Sequence, residues 1–331
     1  MALAACLFHR THILSGLVLL LALTCQASGE ELGGQYYEKA KAATVEILVN
    51  GHLNGTGWIA DSKGIVMTAG HVVENPDRKL EITSPSLGRK DAKLLAVDLG
   101  HDLALLGIEP RKEGYPVLKL AEKNPAPGAG VFVIGAPLYR HGVLAPGTIA
   151  STETAFEYYA DRYIEVAHIS ATVPRGMSGG PWLNTAGEVV GVQSGVMSQT
   201  NIPIGIAFAG PLGAMRALLE RRKTAATPSL GLIAEELWTQ DRKTIDRYPL
   251  KTEGLVIKFL QPDGPAFRAA LKESDMIIAA DGKPVRLTAD LLRIVTGKQP
   301  GQPLELTILR PDGAGQTKAT VNLGKLEVAW P

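Results

Sequence analysis

The chain has 331 residues, a formal net charge of +1, 45% hydrophobic but only 5% aromatic side chains, 36 glycines and 21 prolines. That length accommodates two ordinary domains with a sizeable core, and the Gly and Pro content favours a turn-rich β protein over a helical bundle. A near-neutral charge with no dense basic stretch excludes a nucleic-acid footprint.

Residues 1–27 read as a signal peptide. Arg10 supplies the positive start, and residues 13–23 form an apolar run too short to span a bilayer. Cys25-Gln26-Ala27 then offers small residues at a cleavage site. Two alternatives stay open: an uncleaved N-terminal membrane anchor, and a lipid-modified Cys25, which Ala22-Leu23-Thr24 fits poorly. Cleavage near Ala27 removes Cys6 and Cys25, so the exported chain has no disulfide and relies on its core. It also removes Arg10, the only charge before Glu30, and leaves no net charge to choose partners.

From 44 to 208 the pattern is of short strands. Val45-Glu46-Ile47-Leu48-Val49 ends at the turn signal Asn50-Gly51. Gly57-Trp58-Ile59-Ala60 and Ile65-Val66-Met67-Thr68 flank Asp61-Ser62-Lys63-Gly64 as a hairpin. Strands are also expected at 103–106, 131–134 and 189–192, which together argue for a β-barrel or sandwich. Residues 211–222 read as a helix, with Met215, Leu218 and Leu219 at helical spacing and Arg221-Arg222-Lys223 at its C-terminus. The expected division is a β-rich domain over 28–222, a linker over 223–229 and a smaller domain over 230–326. In the last, 266–271 and 289–295 read as helices, and 255–257, 276–279 and 304–309 as strands.

The most informative segment is Pro174-Arg175-Gly176-Met177-Ser178-Gly179-Gly180-Pro181. A serine hydroxyl needs a base to take its proton and donors for the oxyanion formed on attack. Flanking glycines let the backbone turn so that the N–H groups of Gly176 and Ser178 point at one spot. The bland reading is a Gly-rich hairpin, but G-x-S-G-G-P followed by Trp182-Leu183 is much more specific than G-x-S-x-G. Thr68-Ala69-Gly70-His71 ends a strand and makes His71 the candidate base. His52, His101, His141 and His168 lack that context. Asp102 precedes the apolar run 103–106 and is the candidate carboxylate that fixes the imidazole tautomer; a strand-capping role is its alternative, and Asp98 is its rival.

The order His–Asp–Ser and these three motifs resemble trypsin-like proteases. More narrowly, Thr56-Gly57-Trp58-Ile59, His101-Asp102-Leu103-Ala104-Leu105-Leu106 and Gly205-Ile206-Ala207-Phe208-Ala209 resemble the high-temperature-requirement (HtrA/Deg) family over roughly residues 36–325. The resemblance implies a mainly β fold: a trypsin-like double β-barrel with the triad in its cleft, followed by a smaller α+β PDZ domain. Met177 stands where family members usually carry a polar residue, and 50–56 is too short for a long regulatory insertion. Little chain precedes Tyr36 to build a trimer contact, although Tyr36 and Tyr37 could join one. The pocket for the residue before the cut is implied near Thr172, Val192-Gln193-Ser194 and Ile204, all uncharged, so small to medium aliphatic residues are expected there. Leu230, Gly231 and Leu232 resemble a PDZ carboxylate-binding loop, with β-augmentation of the strand at 231–234 and an apolar wall from Leu291, Leu292 and Val295.

These observations predict an exported, most simply periplasmic, serine endopeptidase of unfolded or damaged polypeptides. Ser178, His71 and Asp102 are its triad, and the Gly176 and Ser178 N–H groups its oxyanion hole. No cofactor or metal is expected. Peptide C-termini on the PDZ domain are the expected partners, and the resemblance implies a homo-oligomer, a trimer. The rival readings are a chaperone or peptide-binding protein of this fold with little proteolysis, an adaptor acting through the PDZ domain alone, and an α/β-hydrolase esterase. The esterase would order its triad Ser–Asp–His and alternate strands with helices, which this chain does not.

Overall fold

The computed structural model describes residues 34–73, 78–200 and 202–327. The expected signal segment, with Cys6, Arg10 and Cys25, lies outside the described residues. A helix, α1 (Gly34–Ala43), leads into the first strand. Tyr37 on α1 donates its hydroxyl to the Gly142 carbonyl at 2.9 Å, and the Tyr36 ring packs against Gly187. Both tyrosines therefore make contacts within this chain.

The first barrel is built from β1 (Thr44–Val49), β2 (His52–Asp61), β3 (Ile65–Ala69), β4 (Leu80–Thr83), β5 (Lys90–Asp98) and β6 (Leu103–Ile108), closed in the order β1-β2-β3-β6-β5-β4. Asn50 and Gly51 both take positive φ, 50° and 81°, as the two-residue turn between β1 and β2. β3 is buried at every residue, from Ile65 to Ala69. Closure removes the sheet edges and encloses Val45, Ile47, Trp58, Ile59, Met67 and Leu105.

The second sheet contains β7 (Gly130–Gly135), β8 (Val143–Ile149), β9 (Ala155–Tyr159), β10 (Arg162–Ser170), β11 (Pro181–Leu183), β12 (Val189–Gln199) and β13 (Ile202–Pro211). Its order is β13-β12-β11-β7-β8-β10-β9, and β13 also pairs with β10. That extra pairing closes six of the seven strands into a ring and leaves β9 as a flap on β10. The fold is thus a trypsin-like double barrel. Trp182 is fully buried and donates Nε1–H to Gln193 Oε1 at 2.9 Å, satisfying the one polar atom its ring brings inside.

Helix α2 (Leu212–Arg221) follows β13 and packs back on β5 and β6 through its buried Leu212, Met215 and Leu218. It ends where Arg222 turns left-handed, at φ 49°. The following segment is tied down: Ala225 N–H donates to Val97 O at 2.8 Å, and Val97 N–H to Thr224 Oγ1 at 3.3 Å.

The last unit pairs β14 (Pro228–Ser229) with β21 (Gly324–Lys325). Its main sheet runs β15 (Leu232–Glu236), β16 (Leu255–Leu260), β17 (Met276–Ala280), β19 (Pro303–Leu309), β20 (Gln316–Asn322), with β18 (Lys283–Pro284) paired to β17. Helix α3 (Thr288–Thr296) covers it, placing Leu291 and Val295 in a core with Leu255, Ile277, Leu304 and Val321. The helix expected over 266–271 is shorter than that reading. It is one turn, Pro265–Arg268, because Ala270 takes the left-handed region at φ 60° and the chain turns away. β15 is an edge strand facing the double barrel. Tyr163 donates its hydroxyl to Ala234 O at 2.8 Å, and Glu153 lies 3.6 Å from Arg293 on α3.

Candidate active site

Strand register brings His71 and Asp102 together. β3 and β6 pair with Ala69 opposite Leu103, so the next step places Gly70 beside Asp102, and Gly70 N–H donates to Asp102 O at 3.0 Å. His71 follows in a short 3-10 turn, Gly70–Val72. Its backbone N–H donates to Asp102 Oδ1 at 2.8 Å, and its Nδ1 lies 2.8 Å from Oδ2. Asp102 sits at φ 52°, a left-handed conformation that aspartate tolerates better than most residues. Burial alone would raise its carboxyl; the His71 charge and the hydrogen bonds of His71 and Ser194 prevail and hold it below the usual range. Asp98 takes no part in this pair. It meets His101 Nδ1 at 2.9 Å and lies 3.5 Å from Arg221.

Ser178 comes from the second barrel, on the loop between β10 and β11. Two glycines explain its tight shape. A Cβ on Gly179 would lie 2.0 Å from Thr56 O, and one on Gly176 would lie 2.7 Å from Ala136 O, with φ at +86° and +97°. The loop is fastened to the first barrel by Thr56, whose N–H donates to Ser178 O at 2.7 Å and whose Oγ1 donates to Gly176 O at 2.8 Å. Ala136 N–H in turn donates to Thr56 Oγ1 at 3.1 Å. Met177 is fully buried, with its sulfur against Gly135, so an apolar plug anchors the loop at this position. Among the described residues, neither the Gly176 nor the Ser178 N–H donates to a protein acceptor.

Ser194 joins the two halves. Its Oγ donates to Asp102 Oδ2, and its carbonyl accepts the Ser178 hydroxyl at 3.2 Å. Gln193 and Ser194, expected at the pocket for the residue before the cut, spend their side chains elsewhere. Gln193 accepts from Trp182 and donates to Gly195 O at 2.8 Å, and Ser194 serves Asp102. They therefore offer that pocket only backbone.

The β9–β10 hairpin flanks the site. The Tyr159 ring stands edge-on to His71, centroids 5.5 Å apart, and lies over Gly195. Arg162, buried at the start of β10, places Nη2 3.5 Å from Asp102 Oδ1. Below the hairpin a cleft of about 980 Å³ runs to the last domain, lined by His71, Tyr163, Leu230, Gly231, Leu292 and Val295 among others. At the expected carboxylate loop, Gly231 is left-handed, at φ 66°, and its N–H donates to Ser229 Oγ at 3.1 Å. No local signal marked Ser194, Thr56 or Arg162 for these roles.

The chain matches the family described as trypsin-like peptidase domain over residues 55–192 and the PDZ domain family over 232–323. Fold and matches define a trypsin-like peptidase domain followed by a PDZ domain. In that arrangement the chain is similar to DegP-like and HtrA-type proteases. It is 28% identical over 270 residues to a probable periplasmic serine endoprotease, DegP-like, of Ectopseudomonas mendocina, covering 81% of this chain and 56% of the relative. With the protein of the same description from Halomonas elongata it shares 29% over 280 residues, 84% of this chain and 56% of the relative. The chain thus spans little more than half the length of these curated relatives. Its fold matches the serine endoprotease from Yersinia pestis, with TM-score 0.62 at 24% identity, covering 88% of this chain and 97% of that one. It also matches the HtrA-type protease AlgW with decapeptide, with TM-score 0.65 at 20% identity, covering 90% and 99%.

Proposed function

We propose that this chain is an exported serine endopeptidase that cleaves unfolded or damaged polypeptides, with Ser178 as nucleophile, His71 as general base and Asp102 orienting it. The observation that carries the reading is the junction at Ser194, which ties the Asp102–His71 pair of one barrel to the Ser178 hydroxyl of the other. On attack, Ser178 Oγ bonds to the scissile carbonyl carbon and its proton passes to His71 Nε2. Asp102 holds the ring through Nδ1 and offsets the charge that forms. The N–H groups of Gly176 and Ser178 receive the oxyanion, and the imidazolium returns its proton to the leaving amine. Water then repeats the sequence and frees the enzyme.

The uncharged surroundings of the pocket favour cleavage after small or medium aliphatic residues. The edge strand β15 and the loop at Leu230, Gly231 and Leu232 favour binding of a peptide C-terminus. The relatives named periplasmic support the same compartment for this chain. Casein digestion with fragment mapping tests the reading. Ser178→Ala is expected to lower turnover about 10⁴- to 10⁶-fold; digestion at the wild-type rate refutes it.

A further inference from the structure

Arg162 is a buried cation beside the carboxylate of the site. Its side chain is 4% exposed, Asp102 is 0% exposed, and they are 3.5 Å apart. The hairpin fixes its place. Arg162 pairs with Tyr159 across a two-residue turn, and Ala160 and Asp161 both have positive φ, 49° and 60°. The guanidinium also donates to Ala160 O at 3.2 Å, bracing that turn. It therefore reaches Asp102 from the second barrel, whereas His71 reaches it from the first.

We propose that Arg162 is a positioning residue for the triad: it holds Asp102 aligned, and it weakens the attraction of Asp102 for a protonated imidazole, so that His71 stays a neutral base to lower pH. The inference rests on the triad reading above. An orienting carboxylate stabilises imidazolium by its charge, and a cation within about 4 to 6 Å of a titrating pair shifts its balance by roughly one pH unit or more. Among the described residues, the titratable and charged groups around this pair include Tyr159 against His71, Asp98, His101 and Glu165, Arg221 from α2, and Arg78 and Asp161 on the cleft rim. His101 lies between Asp98 and Glu165, with Arg221 beside Asp98. All of them are retained in the variants below, so differences between variants isolate Arg162.

The test is the rate at which a fluorophosphonate labels Ser178 in the full chain, measured from pH 5 to 9. Arg162→Met and Arg162→Gln remove the charge, and Arg162→Lys keeps it. Both uncharged variants are expected to shift the acid limb up by about one pH unit, a roughly tenfold slower reaction on that limb relative to the plateau. Arg162→Lys is expected to retain the wild-type limb. An uncharged variant that folds and superimposes on wild type overturns the proposal. Unfolding of both uncharged variants also overturns it, by making Arg162 a structural clamp. Failure is distinct from failure of the triad reading, which would appear as a wild-type chain that does not label at any pH.

Discussion

Thr56 shows how one hydroxyl holds a reactive loop. It is fully buried, donates to Gly176 O and accepts from Ala136 N–H, so it fixes the peptide plane before Met177. Thr56→Val keeps the shape and leaves two buried polar groups without their partner, at a cost of about 2 kcal/mol. For a domain of this size that lowers the melting temperature by roughly 4 to 8 °C. The loss in fluorophosphonate labelling is expected to be about 10- to 100-fold, larger than stability alone explains, because small misplacements at the reacting centre are expensive. A lower melting temperature with unchanged labelling would show that Gly176 does not depend on Thr56. The residues that could be found from sequence, Ser178, His71 and Asp102, carry local motifs. Thr56, Ser194 and Arg162 act through partners far along the chain, and an isolated Thr, Ser or Arg has no pattern that foretells them.

At the scale of elements, His101 joins the barrels. It leaves the β5–β6 loop and places Nδ1 2.9 Å from Asp98 and Nε2 3.5 Å from Glu165 on β10. Burial pushes the imidazole down, but the two carboxylates override it and raise it to about 9. The folded state therefore holds this proton more tightly than the unfolded chain, whose histidine titrates near 6.5. The stabilisation is complete below about pH 6.5, decays as pH rises and is lost above about 9. His101→Gln is accordingly expected to melt below wild type at pH 6, with the gap closing by pH 10. Melting curves across that range check it, and a gap independent of pH would mean the cluster is not held by charge. This contact was not legible in the sequence because the β9–β10 hairpin was not. Ala160-Asp161 lacks the Asn-Gly signature that marked Asn50-Gly51, although it takes the same left-handed turn. The strands that could be read, such as 45–49 and 131–134, are β-branched runs. β8 escaped notice because Pro146 and Gly147 interrupt it.

Across the whole molecule, the same hairpin meets the edge on which a peptide would dock. A peptide adding to β15 needs the outward N–H and C=O of that strand. At Ala234 both are engaged by one group: the Tyr163 hydroxyl donates to the carbonyl at 2.8 Å and accepts from the N–H at 3.4 Å. Burial raises the phenol to about 12, so it remains a donor at every physiological pH. A peptide docking on this edge would compete with Tyr163 for Ala234, and the energy of the internal bond would be subtracted from its affinity. Tyr163→Phe removes the bond while keeping the ring, which stands edge-on to Tyr158 with centroids 5.3 Å apart. A net hydrogen bond is worth about 0.5 to 1.5 kcal/mol, so the variant is expected to bind a hydrophobic C-terminal peptide roughly 2- to 10-fold more tightly. Fluorescence anisotropy of a labelled peptide on the full chain measures this. Equal or weaker binding by Tyr163→Phe would mean that the peptide does not use the edge of β15 at Ala234.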